Sequence, residues 1–208
     1  MRSLSEIETT VKRASKAIGF DWGISEEVGK SVRLLEMFGF SGIKNINQYY
    51  KDRTDKKFEN ISLISNENQS SSNPFCPIIL GVSFLDQVKT INSIGKIKFD
   101  KIAFPLIFLS FLSRSSEVIG KKIIIRFDKK EFLLNLNVNI YSNLFNQDFP
   151  TIAKNVEIEF IDNQDNFKES EWQNLYRLSE NTFVEESESL KQGGAGAGLT
   201  DNDWWFWW

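Results

Sequence analysis

The chain has no histidine and one cysteine, Cys76, so any chemistry falls to aspartate, glutamate, lysine and tyrosine. Lack of histidine removes the usual general base at neutral pH and the commonest metal ligand. One cysteine without histidine is no ligand set for tetrahedral zinc. Ser-His-Asp and Cys-His catalysis are excluded within the chain on the same ground. Cys76, between Asn73-Pro74-Phe75 and Pro77, reads as a small buried residue without an activating base. The expectation is therefore no cofactor, no metal and no catalysis of the chain's own.

Two segments remain as candidate sites. Asp21 and Trp22 lie in the connector Phe20-Asp21-Trp22-Gly23. There Trp22 either staples the core of a helical hairpin or lines a cleft, with Asp21, in which carboxylate and lysine chemistry could act on a small molecule. The second segment is a tail. The glycine-rich run 193–198 follows a helix C-terminus, whereas a phosphate loop needs a strand before it and a helix N-terminus after it. It reads as a flexible tether. At its tip Leu199, Thr200, Asp201, Asn202 and Asp203 form a short peptide suited to docking on a partner protein. The last five residues, Trp204, Trp205, Phe206, Trp207 and Trp208, read as an added tail, a partner or membrane-interface anchor, or a plug for a groove in the same chain.

Lys12, Arg13 and Lys16, with Lys30 and Arg33, suggest a helix-turn-helix. The connector is too long for that motif, and the formal net charge of −3 lacks the footprint of a nucleic-acid binder. No nucleic-acid partner is expected. The apolar stretch 102–112 falls short of the roughly 20 residues that span a bilayer, and the N-terminus has no signal-peptide run. With a single cysteine as well, the chain reads as a soluble cytoplasmic protein without a transmembrane segment.

These residues must be positioned by a recognisable order of elements. Ser3 with Glu6 fits a capping box, and Ile7, Val11, Ala14 and Ile18 form one helical stripe over 3–18, closed by Gly19. Ser25 is expected to cap a second helix that Gly39 ends, with Val28, Val32 and Leu35 inward, packed on the first as an antiparallel hairpin. A short third helix over 41–51 should bury Ile43, Ile46 and Tyr50. The polar stretch 65–74 reads as an exposed or disordered crossing. A buried strand is expected over 78–85, a strand or turn over 94–99, and a helix or strand from Pro105 to about Ser116. Strands follow at 121–127, 131–141 and 156–161, the first two joined by a hairpin at Asp128-Lys129-Lys130. A long helix runs over 169–191.

The pattern predicts an α+β fold: an N-terminal helical hairpin, a central antiparallel or mixed sheet, a long C-terminal helix and a flexible glycine-rich tail. The expected organisation is a helical lead over 1–55, an α+β core over 56–192 and the tail over 193–208.

The stretches SLSEIETTVKRASKAIGFDWGISEEVGKSVRLLEMFGFSG, residues 3–42, and NTFVEESESLKQGGAGAGLTDND, residues 181–203, resemble a proteobacterial family of unknown function, number 3726. The family implies no activity that could be carried over to a residue. Its members end near the Asp-Asn-Asp, which marks 204–208 as a departure. The first two helices also resemble the start of the malate/L-lactate dehydrogenase family that lacks a classical Rossmann domain, but the histidine those enzymes use is missing. The function expected is an accessory or partner-binding domain working through its C-terminal tail. The alternative is a small-molecule enzyme or binding protein with its cleft near Trp22.

Overall fold

The computed structural model describes residues 2–143 and 149–182. The chain divides into two compact units, Met1–Asn163 and Gln164–Trp208.

Helix α1 (Leu4–Ala17) begins as its sequence dictates, with the Ser3 hydroxyl accepting the Glu6 N–H at 3.1 Å. Helix α2 (Trp22–Met37) begins four residues earlier than a Ser25 cap would place it. Asp21 occupies the N-cap position without a side-chain cap bond, and Ser25 is fully buried inside the first turn. Gly19 and Gly39 end the two helices at φ +104° and +79°, conformations that cost a glycine nothing. Helix α3 (Gly42–Asp55) buries Ile46 and Tyr49, whereas Tyr50 is half-buried and Ile43 exposed.

The first element after the polar crossing is a helix, α4 (Pro77–Ile91), where a strand was expected. Pro77 sits at its start and the Cys76 sulfur accepts the Ile79 N–H at 3.5 Å. Ile78, Gly81, Phe84, Val88 and Ile91 are buried at helical spacing, a period hidden because the other faces are also apolar. Helix α5 (Pro105–Ile119) is buried over nearly its whole length. Both helices contribute to two separate hydrophobic clusters. One cluster joins them to the sheet, the other to α1, α2 and α3. They form the middle of three layers, and a helix apolar all round belongs in such a place. At their crossing Gly81 faces Phe111 so closely that a Cβ would sit 2.3 Å from the ring.

The sheet has six strands in the order β1-β2-β6-β3-β4-β5. They are β1 (Glu67–Asn68), β2 (Lys96–Ala103), β3 (Lys122–Phe127), β4 (Lys130–Asn135), β5 (Asn139–Ser142) and β6 (Ile152–Ile161). Only β1 and β2 pair in parallel; the sheet is mixed and the unit is α+β. The hairpin at Asp128-Lys129 forms as predicted, both residues at positive φ. The segment expected as one strand over 131–141 is two, because Leu136 and Asn137 take positive φ and turn the chain back. The face away from α4 and α5 carries a row of alternating charge, Glu67, Lys98, Glu157, Arg126 and Glu131, set by the strand register. The Arg126 guanidinium reaches both Glu131 (2.5 Å) and Glu159 (2.7 Å).

The stretch 65–74 is ordered by two carboxylates. Glu59 accepts the backbone N–H groups of Ser71, Ser72 and Asn73 and the Ser71 hydroxyl, all at 2.7–2.8 Å. Those bonds, the Ser72 and Asn73 amides foremost, hold its carboxyl at about 2. Asp100 takes the N–H and hydroxyl of Ser70. Polar composition made this stretch resemble a disordered crossing, yet Ser65, Asn68, Ser70 and Ser71 all bond through their side chains.

In the second unit, α6 (Glu169–Glu180) starts with the Glu171 carboxylate accepting the Lys168 N–H at 2.6 Å. The helix expected to reach 191 runs among the described residues to Glu180 and is followed by a turn at Asn181 and Thr182; residues 183–191 lie outside them. No helix among the described residues is long and apolar enough to cross a membrane.

Candidate functional site

Two short connectors, 18–21 and 38–41, fold α1 and α3 onto α2, so that the two outer helices run the same way on either side of it. They leave a groove between them of about 280 Å³. Ile7, Val11 and Ala14 line it from α1; Ile43, Ile46 and Tyr50 line it from α3. On each helix these positions recur three or four residues apart, which puts them on one face. The lead's stripe Ile7, Val11, Ala14 was legible in the sequence, but most of it faces a groove and not a closed core.

Among the polar groups around the groove, the phenol and the charged pair are bonded, while the Thr10 and Asn47 side chains have no partner among the described residues. Tyr50 and Ser15 link its two walls, their oxygens 2.5 Å apart. The Ser15 hydroxyl donates to the Val11 carbonyl at 2.8 Å, so the phenol is the donor in the link. Burial pushes the Tyr50 phenol up, against the opposing pull of Ser15 and Arg53, which keeps that proton in place. At the mouth Arg2 pairs with Glu6 at 2.9 Å.

Behind the groove, charges tie α1, α2 and α5 together. Glu26 bridges Lys12 at 2.8 Å and Lys30 at 3.0 Å, and Lys12 and Lys30 hold its carboxyl down at about 2. Glu27 bonds Arg114 and pairs with Lys30 at 3.1 Å. Burial pushes Glu27 up, but Arg114 and Lys30 together outweigh it and the net direction is down. Arg33 pairs with Glu8 at 3.1 Å. Three of the basic residues that suggested a helix-turn-helix, Lys12, Lys30 and Arg33, are thus engaged by carboxylates.

Trp22 is no core staple. It is 56% exposed, with the Lys16 ammonium 5.7 Å from its ring centre. Asp21 beside it is exposed, and neither residue lines the groove. Leu199, Thr200, Asp201, Asn202, Asp203 and residues 204–208 lie outside the described residues. Among the described residues no group of three or more histidines, cysteines, aspartates or glutamates is placed to hold a metal.

A second hollow, of about 430 Å³, opens at the C-terminal end of α3. Its charged residues are Asp52, Asp55, Lys56 and Lys57, and its apolar wall is Phe58, Pro74, Phe104 and Ile152. Phe104 links β2 directly to α5 at φ +43° and ψ +62°, an outlier for an aromatic residue. Its N–H donates to the Thr151 carbonyl at 2.8 Å. Next to it Tyr49 and Cys76 meet in the core at 3.0 Å, and Cys76 is buried as expected. Sequence reasoning missed this hollow. The run Asp52-Arg53-Thr54-Asp55-Lys56-Lys57 was its one local signal, and Phe104 and Thr151 join it only through the fold.

Residues 2–76 match the model of a family described as "Protein of unknown function (DUF3726)". No curated protein and no solved structure matches the chain. The match contains α1, α2 and α3 and the Glu59-bound crossing, so every residue that lines the groove lies within it. The hollow at the end of α3 combines residues within the match with Phe104, Thr151 and Ile152 from beyond it.

Proposed function

We propose that the chain is a partner-binding accessory domain without catalysis of its own, and that the α1/α3 groove receives an amphipathic helix of another protein. One observation carries the reading: the groove is mostly apolar and flanked by two helices, and its phenol and its one charged pair are already bonded within the chain. A site of that kind offers shape and apolar area, not reacting groups. Helix-in-groove recognition reads side chains at i, i+3/i+4 and i+7 in the same way. The tail peptide 199–203 is retained in the proposal as a second docking element. The exposed Asp21 and Trp22 are proposed as an alternative contact.

The test immobilises the full chain, Ala14→Arg, Trp22→Ala and a form ending at residue 192, and exposes each to native lysate. Ala14→Arg places a charged side chain in the groove without touching the core. The expected result is one protein held in stoichiometric amount by the full chain and lost from Ala14→Arg, at a melting temperature unchanged within about 3 °C. Loss confined to the shortened form would move the contact to the tail, and loss confined to Trp22→Ala would move it to the start of α2. Equal retention by all four forms, or retention by none, would end the proposal.

A further inference from the structure

Two charges of the hollow at the end of α3 are unspent. Asp52 pairs with Lys56 at 2.7 Å and accepts from Gln48 at 2.8 Å. Asp55 and Lys57 also line the hollow, and their side chains have no ion-pair or hydrogen-bond partner among the described residues. Elsewhere Glu8, Glu26, Glu27, Glu59, Glu131, Glu157 and Glu159 are all bonded. One free carboxylate and one free ammonium therefore share a hollow floored by Phe58, Pro74, Phe104 and Ile152. Asn73 and Thr151 add an amide and a hydroxyl at its rim. A few convergent polar groups over an apolar floor are the usual make-up of a small-ligand site, and about 430 Å³ sits toward the small end of the range such sites span. The strained backbone of Phe104 fixes one wall, and strain of this kind gathers at binding sites.

We infer that this hollow binds a small zwitterion of the amino-acid class with an apolar side chain. Asp55 receives the ligand's ammonium and Lys57 its carboxylate, with Thr151 and Asn73 able to donate to the carboxylate as well. The rings of Phe58 and Phe104 take the side chain. A ligand with one charge would leave the opposite charge of the site unpaired as water is displaced, and that penalty sets the selectivity. The inference stands apart from the groove, which lies on the opposite side of Tyr50 from these residues in sequence and shares none of them.

The test is an amide-shift titration of the full chain with L-phenylalanine, L-leucine, 3-phenylpropionate and phenethylamine. The two amino acids are expected to shift residues 55–58, 73, 104 and 151–152. The acid and the amine should bind about tenfold more weakly or worse. Asp55→Asn and Lys57→Gln are exposed substitutions that leave the fold intact, and each should weaken the amino acids by about tenfold. No shift with either amino acid, binding of the acid or amine as tight as that of phenylalanine, or wild-type affinity in both variants would overturn the inference.

Discussion

The two hollows of the N-terminal unit are built from the same helix to opposite rules. The α1/α3 groove has its charges and its phenol matched within the protein, Tyr50 to Ser15 and Arg2 to Glu6, and leaves only the uncharged Thr10 and Asn47 side chains without a partner among the described residues. The hollow at the end of α3 keeps Asp55 and Lys57 unmatched. Under the readings proposed above, the first selects by shape and apolar area and the second by charge. The groove also sits inside the DUF3726 match, while the hollow draws in Phe104 and Thr151 from later in the chain. One helix thus lines both hollows, the groove with Ile43, Ile46 and Tyr50 and the second hollow with Asp52 and Asp55.

The strongest way to break this division is Ile46→Ala. Ile46 is the buried floor of the groove, and its truncation should cost about 3 kcal/mol in urea unfolding. Partner capture should fall with it, while amino-acid shifts at residues 55–58 persist below the melting temperature. Loss of both would show that the two hollows are one cooperative site. Tyr50→Phe comes next. It removes the bond between the groove walls at a cost of about 1 kcal/mol, read by the same unfolding, with no change at the hollow.

Acid separates the two regions by another route. Glu26 behind the groove and Glu59 under the crossing both titrate at about 2 in the folded chain, against an ordinary 4.5. A depressed folded value stabilises the fold above the unfolded value, and that contribution is lost as pH falls through the folded one. Urea midpoints should therefore hold from pH 8 to about 5 and drop between about 4.5 and 2. Without histidine, no side chain of ordinary pKa titrates between. Glu59→Gln should blunt the drop and speed amide exchange at Ser71, Ser72 and Asn73. The smallest effect belongs to Asp55→Asn, within about 0.5 kcal/mol in stability because nothing in the fold depends on it.

Where local rules act alone, sequence and structure agree. Ser3 caps α1, Gly19 and Gly39 stop their helices, and Asp128-Lys129 turns the hairpin. Pro105 starts α5. Agreement fails where the third dimension decides. Residues 78–85 read as a strand because α4 lies between two layers and needs no polar face. Alternation over 131–141 continues smoothly through Leu136 and Asn137, although the chain turns there. The polarity of 65–74 suggested disorder because its partners, Glu59 and Asp100, come from before and after it in the chain. Trp22, read as either a core staple or a cleft residue, lies on the surface and lines neither hollow. The apolar stripe of α1 was readable, but not that a groove would be left beside it, because that depends on where two connectors put α3.

The central claim is that the groove is an occupied surface in the cell. A photo-crosslinking residue placed at Thr10, on the groove's edge, tests it most directly, with the same residue at Ser93 in the turn after α4 as the reference. The account predicts a single crosslinked protein at Thr10, absent at Ser93, with the crosslink mapping to an amphipathic helix of that protein. Identical products at both positions, or none at Thr10, would contradict it.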